Sequence, residues 1–299
     1  MKKIIFILGG ARTGTTMLDA ILGNAPDAFS CGEMYAWFRP WHKKHYSIDC
    51  ACGNSDCPIW TKLKKFSEKE IYDAIFKELG VNYIVDSSAN LAWVIDHNLR
   101  LAGQYEIINL VIWKDPITLY YSYWKRDIQK ITGRHSFSSN FKKYYGNIIK
   151  SGLPFYSIKY EDFVNDTSKA LKKLCKVIDM PYFDGKERFW EKEHHFLYGS
   201  YGVKKQIQDK NSAIIKDEPK PEMFLSFMKE AQNFISKDKA LFSIINSLSK
   251  YDIMNENIAI SRSNKIVKPF YYYFLQIKRL YRKMFPSKFE IKYVSLGSK

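Results

Sequence analysis

Gly9-Gly10-Ala11-Arg12-Thr13-Gly14-Thr15-Thr16 sets glycines, threonines and one arginine between an apolar run, Ile4 to Leu8, and a segment with helical apolar spacing at Met17, Leu18, Ile21 and Leu22. A strand, a glycine-rich turn and a helix N-terminus in that order aim several backbone N–H groups at one point, an arrangement suited to an anion. Gly10, Ala11, Arg12, Thr13, Gly14, Thr15 and Thr16 are therefore the candidate anion-binding residues. A loop of this kind that holds a nucleoside triphosphate needs Gly-Lys-[Ser/Thr], with the lysine on the terminal phosphates and the hydroxyl on Mg²⁺. Here Thr15 stands at the lysine position and the cation is Arg12, inside the loop. That disfavours an ordinary triphosphate hydrolase and favours a donor whose terminal group carries less charge and needs no Mg²⁺ clamp.

The elements that position this loop follow from periodicity. Residues 3–8 read as a strand buried on both faces, and further strands are expected at Tyr83–Val85, Ile107–Trp113 and Phe155–Ile158. Helices are expected after each: Thr16–Leu22, a segment through Leu91, Val94, Ile95 and Leu99, one beginning near Pro116, and Thr167–Ile178. Strands alternating with helices imply an α/β fold with a mostly parallel central sheet flanked by helices. Residues 199–221, rich in glycine, proline and lysine, read as a long loop, followed by helices at 222–235 and 238–249. The catalytic unit is expected to span 1–255, with a cysteine-containing insertion at about 34–66, and 256–299 reads as a helical C-terminal appendage.

The loop resembles the 5′-phosphosulfate loop of sulfotransferases that use 3′-phosphoadenosine 5′-phosphosulfate (PAPS), in the form typical of the bacterial carbohydrate and protein-tyrosine branches. Ser30-Cys31-Gly32-Glu33, Val85-Asp86-Ser87-Ser88, Trp113-Lys114-Asp115-Pro116 through Ser122, and Tyr160-Glu161-Asp162-Phe163 are similar to further segments of that family, in family order. The resemblance implies a P-loop-containing fold and sulfuryl transfer from PAPS to an acceptor hydroxyl, most often of a carbohydrate or glycolipid, with no metal required. In those terms Arg12 and Glu33 are the candidate catalytic residues, Arg12 stabilising growing charge and Glu33 acting as general base. Nearby His42 and His45 are alternative bases. Lys114 and Ser122, eight residues apart and so about two helical turns, are candidates for the 3′-phosphate. The family uses arginine where this chain has Lys114, which keeps the charge and loses the bidentate fork. Gly202, Val203 and Lys204 are candidates for closing over the nucleotide. One departure stands out: Ala89 follows Ser88 where relatives carry a lysine that supports the leaving phosphate. Two other readings stay open, a P-loop kinase-like phosphoryl transferase and a catalytically impaired relative that binds polyanions or membranes.

Four of the five cysteines, Cys31, Cys50, Cys52 and Cys57, fall within 27 residues of one another. Free thiols, a disulfide and a metal site are all compatible with that spacing. The chain of 299 residues carries a net charge of +16, of which +9 lies in residues 261–299, where ten Lys/Arg face Glu290 alone. The tail interleaves these with Tyr271, Tyr272, Tyr273 and neighbouring aromatics, a composition compatible with a packed terminal helix or with peripheral contact at an anionic membrane. No nucleic-acid partner is expected. Met1-Lys2-Lys3 and the short run after it do not make an export signal, and no apolar run approaches the ~20 residues of a membrane span, so a cytoplasmic location is expected.

Overall fold

In the computed structural model, residues 1–39, 49–125, 136–210 and 222–261 are described. His42, His45 and the basic tail from 262 onward lie outside them. The strands are β1 (Lys3–Leu8), β2 (Ala28–Gly32), β3 (Tyr83–Asp86), β4 (Glu106–Trp113) and β5 (Tyr156–Lys159). They form one sheet in the order β2-β3-β1-β4-β5, and every pairing is parallel.

The sequence Lys-Ile-Ile-Phe-Ile-Leu makes β1 the central strand because it is apolar on both faces. Ile4, Phe6 and Leu8 join the core on one side, while Ile5 and Ile7 join the core on the other. The first face is covered by α4 (Ile71–Leu79), α5 (Leu91–Leu101), α7 (Ser136–Ser151) and α12 (Lys239–Lys250), through residues such as Tyr72, Trp93, Tyr145 and Leu248. The second is covered by α1 (Thr15–Leu22), α8 (Tyr160–Asn165), α9 (Thr167–Val177) and α10 (Tyr201–Asp209), through Leu18, Phe163, Leu174 and Ile207. The other helices are α2 (Met34–Trp37), α3 (Pro58–Leu63), α6 (Pro116–Trp124) and α11 (Glu222–Lys237). None of the described helices is long and apolar enough to cross a membrane.

The α/β sheet expected from periodicity is present, with the expected strands displaced by one residue at most. One expectation is overturned. Residues 201–209 form helix α10 rather than the first half of a loop, because Val203 and Ile207 pack on the second core and override the glycine-rich start. Residues 211–221 lie outside the described set. Strand β2 and helices α4 and α7 carry no expectation from periodicity; β2 has only five residues, among them Ser and Gly.

A polar clamp crosses the second face. Asp19 of α1 is fully buried and accepts hydrogen bonds from Ser30 Oγ of β2 and Ser87 Oγ just beyond β3, each at 2.8 Å. It ties the helix that follows β1 to two neighbouring strands. Burial raises the Asp19 carboxyl to about 8, helped by the charge of Asp86 and opposed by the serine hydrogen bonds. At the end of β2, Gly32 adopts φ +72° and lies so close to the Leu197 carbonyl that a Cβ there would overlap its oxygen. The strand accordingly breaks register between Ser30 and Gly32.

Two outcomes are expected. Gly32→Ala should lower stability by about 2 kcal/mol or more, read from urea unfolding midpoints, since it combines a left-handed backbone with a backbone clash. The folded chain holds a proton on Asp19 where the unfolded chain, at 3.8, has released it. Raising pH through the window from 3.8 to about 8 therefore favours the unfolded state. Wild-type stability relative to Asp19→Asn should fall across that window, and a pH-independent difference would contradict the assignment.

Candidate active site

With every strand parallel, the loops that leave the carboxyl ends of the strands share one edge of the sheet. That edge brings together the cradle after β1, Glu33 after β2, Ser87 and Ser88 after β3, Lys114 after β4 and Tyr160 after β5. The chain turns to one side of β1 to form β2 and β3 and to the other side to form β4 and β5, so the cradle sits where the strand order reverses.

The cradle is held from inside. Thr13 Oγ1 donates to the Gly10 carbonyl at 2.7 Å and closes the turn. The Gly9 N–H donates to the Tyr144 hydroxyl at 3.0 Å and the Gly10 N–H to the Tyr145 hydroxyl at 3.1 Å. Those phenols in turn donate to the carbonyls of Ala89 and Ile112. Gly14 caps α1 with φ +97° and offers no side chain to the helix, so the first-turn N–H groups are not capped from within. Its α-carbon faces the Tyr160 ring, where a Cβ would sit 2.7 Å away. Ala11 and Arg12 are exposed at the tip, and Arg12 takes φ +70°. Thr15 lies in the first turn of α1, while Thr16 Oγ1 accepts the Ser200 N–H at 3.1 Å.

Glu33 follows the Gly32 break and stands at the N-terminus of α2. Its backbone is stitched to the 197 segment: Leu197 N–H donates to the Cys31 carbonyl at 3.1 Å and Glu33 N–H to the Leu197 carbonyl at 3.2 Å. The Glu33 charge acts on the phenols of Tyr144 and Tyr198 and on the ammonium of Lys204. Glu33 is thus within electrostatic reach of the tyrosine that receives the Gly9 N–H. Burial, more than that charge, pushes the Tyr144 phenol far up, so it remains a neutral donor.

On the other flank, Lys114 is 7% exposed, its ammonium 3.7 Å above the centre of the Tyr160 ring. Asp115 caps α6 by accepting the Ile117 N–H at 2.9 Å, and its own N–H reaches Glu161 Oε1 at 3.1 Å. Burial raises the Glu161 carboxyl, against hydrogen bonds from its own and the Asp115 backbone and the nearby Lys114 charge. Ser122, on α6, donates to the Thr118 carbonyl one turn back at 3.2 Å.

Gly202, Val203 and Lys204 lie on α10, next to Ser200, which touches Thr16. Lys204 is buried and its ammonium donates to the Asp49 carbonyl; burial lowers its pKa, opposed by the charges of Asp49, Cys50 and Glu33. Of the four clustered cysteines, Cys31 is not in the group whose ligand atoms converge; it is buried in the first core with its thiol pushed up by burial. His195 takes its place beside Cys50, Cys52 and Cys57.

Sequence reasoning missed Tyr144, Tyr145, Asp19 and His195. The tyrosines arrive from α7, about 135 residues downstream of the glycines they hold, and no local spacing announces such a contact. The adjacent His194-His195 pair is a signal that could have drawn attention to the cysteines.

No protein-family model matches the chain, and no curated protein matches it. Among solved structures it is similar to a sulfotransferase domain from the curacin biosynthetic pathway, at 17% identity and a TM-score of 0.50 over 78% of this chain and 98% of that domain. It is also similar to a sulfotransferase domain from the Synechococcus PCC 7002 olefin synthase, at 14% identity and a TM-score of 0.48 over 94% and 95% of the two chains. The first likeness, together with the parallel sheet and its helix-flanked faces, identifies the architecture as the sulfotransferase-type α/β fold.

Proposed function

We propose that the chain transfers a sulfuryl group from PAPS to an acceptor hydroxyl and releases adenosine 3′,5′-bisphosphate. The observation that carries this reading is the cradle, a glycine-rich turn with an exposed arginine at its tip, no lysine at its end, and Glu33 in electrostatic contact with the tyrosine that braces it. The first-turn N–H groups of α1 and the hydroxyls of Thr15 and Thr16 would hold the 5′-phosphate. Thr16 can still donate, since its contact with Ser200 uses the oxygen as acceptor. Lys114 and Ser122 would meet the 3′-phosphate, Ser122 by turning its hydroxyl away from Thr118.

In the transfer, the bond between sulfur and the bridging oxygen breaks as the acceptor oxygen bonds to sulfur. The acceptor proton passes to Glu33, and Arg12 with the N–H groups of α1 takes up the charge left on the leaving phosphate. Tyr144 supports the loop at the place next to Ala89, where the family resemblance leads one to expect a lysine. The acceptor we favour is a sugar hydroxyl of an oligosaccharide, polysaccharide or glycolipid. A kinase-like reaction is disfavoured by Thr15 at the lysine position.

Calorimetry with adenosine 3′,5′-bisphosphate should give binding that is the same with and without Mg²⁺ and tighter than that of ATP; preference for magnesium ATP would overturn the reading. In a labelled-sulfate assay over sugar and non-sugar alcohols, Glu33→Gln should lower turnover by roughly 10²- to 10⁴-fold while nucleotide affinity stays unchanged. Arg12→Ala should lower it by about 10²- to 10³-fold.

A further inference from the structure

Cys50, Cys52, Cys57 and His195 bring their four ligand atoms within 4.8 Å of one another. Cys57 Sγ lies 3.4 Å and Cys50 Sγ 3.9 Å from His195 Nδ1. Tetrahedral zinc, with Zn–S of about 2.3 Å and Zn–N of about 2.0–2.1 Å, separates a sulfur and a nitrogen ligand by roughly 3.6 Å. At the far edge of the ring, Glu193 Oε1 lies 3.9 Å from Nε2, on the side where a metal-bound imidazole commonly meets a carboxylate. None of the three cysteines is in a disulfide, and a disulfide between any two would leave the third sulfur and the imidazole converging on nothing. We propose that Cys50, Cys52, Cys57 and His195 form a structural zinc site.

The chemistry of the surroundings fits. Three thiolates and a neutral imidazole around Zn²⁺ leave one net negative charge, and the Lys204 ammonium is anchored on the carbonyl of Asp49, the residue next to Cys50. The chain reaches Cys52 from Cys50 by a tight turn in which Gly53 N–H donates to the Cys50 carbonyl at 3.0 Å. Trp60 covers the cluster, its indole N–H donating to the His195 carbonyl and its ring 4.7 Å from that of Trp37. Cys52 and His195 are only half-buried, which leaves a path for the ion.

The site has a mechanical consequence. It joins the 50–57 segment to His195, and the next two residues continue the link: Ala51 N–H donates to the Phe196 carbonyl at 3.0 Å, and Leu197 pairs with the backbones of Cys31 and Glu33. The metal would thus hold the backbone that presents Glu33. It would not touch the reacting groups, and it stands or falls independently of the sulfuryl-transfer reading because its readout is metal content.

The test is elemental analysis of the full chain, purified reduced and with any affinity tag removed, alongside cobalt substitution. About one zinc per chain is expected, and cobalt should give the intense visible bands of a tetrahedral thiolate site. Cys57→Ser and His195→Ala should each lose stoichiometric zinc, while Cys31→Ser and Cys175→Ser should keep it. Should Cys57→Ser fail to fold, His195→Cys, which preserves four ligands, should retain zinc and a folded chain. Metal-free wild-type protein that takes up no cobalt overturns the proposal, as does a Cys50, Cys52 or Cys57 disulfide found by mass spectrometry in that reduced protein, or zinc retained by the His195→Ala, Cys57→Ser double variant.

Discussion

The buried carboxyl of Asp19, held by two serine hydroxyls, is the constraint on which the edge of the sheet depends. It is the point where α1, β2 and the end of β3 are fastened together, and α1 is the helix whose N-terminus completes the cradle. Its environment is unfavourable to a charge, which is why it titrates high, and the serines satisfy it without adding a counterion. A second buried carboxyl, Asp86, repeats the device one strand end away, accepting from Tyr72, Trp93 and the Ser88 backbone. Asp19 makes the register of α1 against β2 and β3 specific, and Asp86 ties the end of β3 to α4 and α5, because a slipped helix would strand a buried polar group.

From that fixed edge the two flanks differ in how their groups are held. On the β2 side, Glu33 is positioned by backbone: the Gly32 kink, the Leu197 pairings and the adjoining cysteine and histidine cluster. On the β4 and β5 side, Lys114 is positioned by an aromatic face and Asp115 by Glu161. The tyrosine pair of α7 joins the flanks by gripping Gly9 and Gly10 from beneath while bonding to carbonyls on either side. The tip, with Ala11 and Arg12, is left exposed. A rigid base under an exposed tip suits the recognition of an anion arriving from solvent.

Much of this is legible in the amino-acid sequence. The strand, turn and helix around Arg12 follow from a doubly apolar run, glycine-rich punctuation and helical spacing, all local properties. The substitution of Thr15 for lysine is likewise visible in eight consecutive residues. The loop that glycine, proline and lysine content predicts over 199–221 fails at 201–209; the helix there forms because Val203 and Ile207 find a core to bury against, and burial outweighs propensity.

By itself the sequence determined which residues are chemically able to bind an anion and that alternating elements would yield a parallel sheet, since both depend on neighbours a few positions apart. Only the tertiary structure decided that Glu33, Lys114 and the cradle share one edge, that Tyr144 and Tyr145 brace it, and that His195 rather than Cys31 meets the other three cysteines. These are contacts across tens to well over a hundred residues, and they exist because burying both faces of β1 forces the strand ends into register, not because any local pattern encodes them.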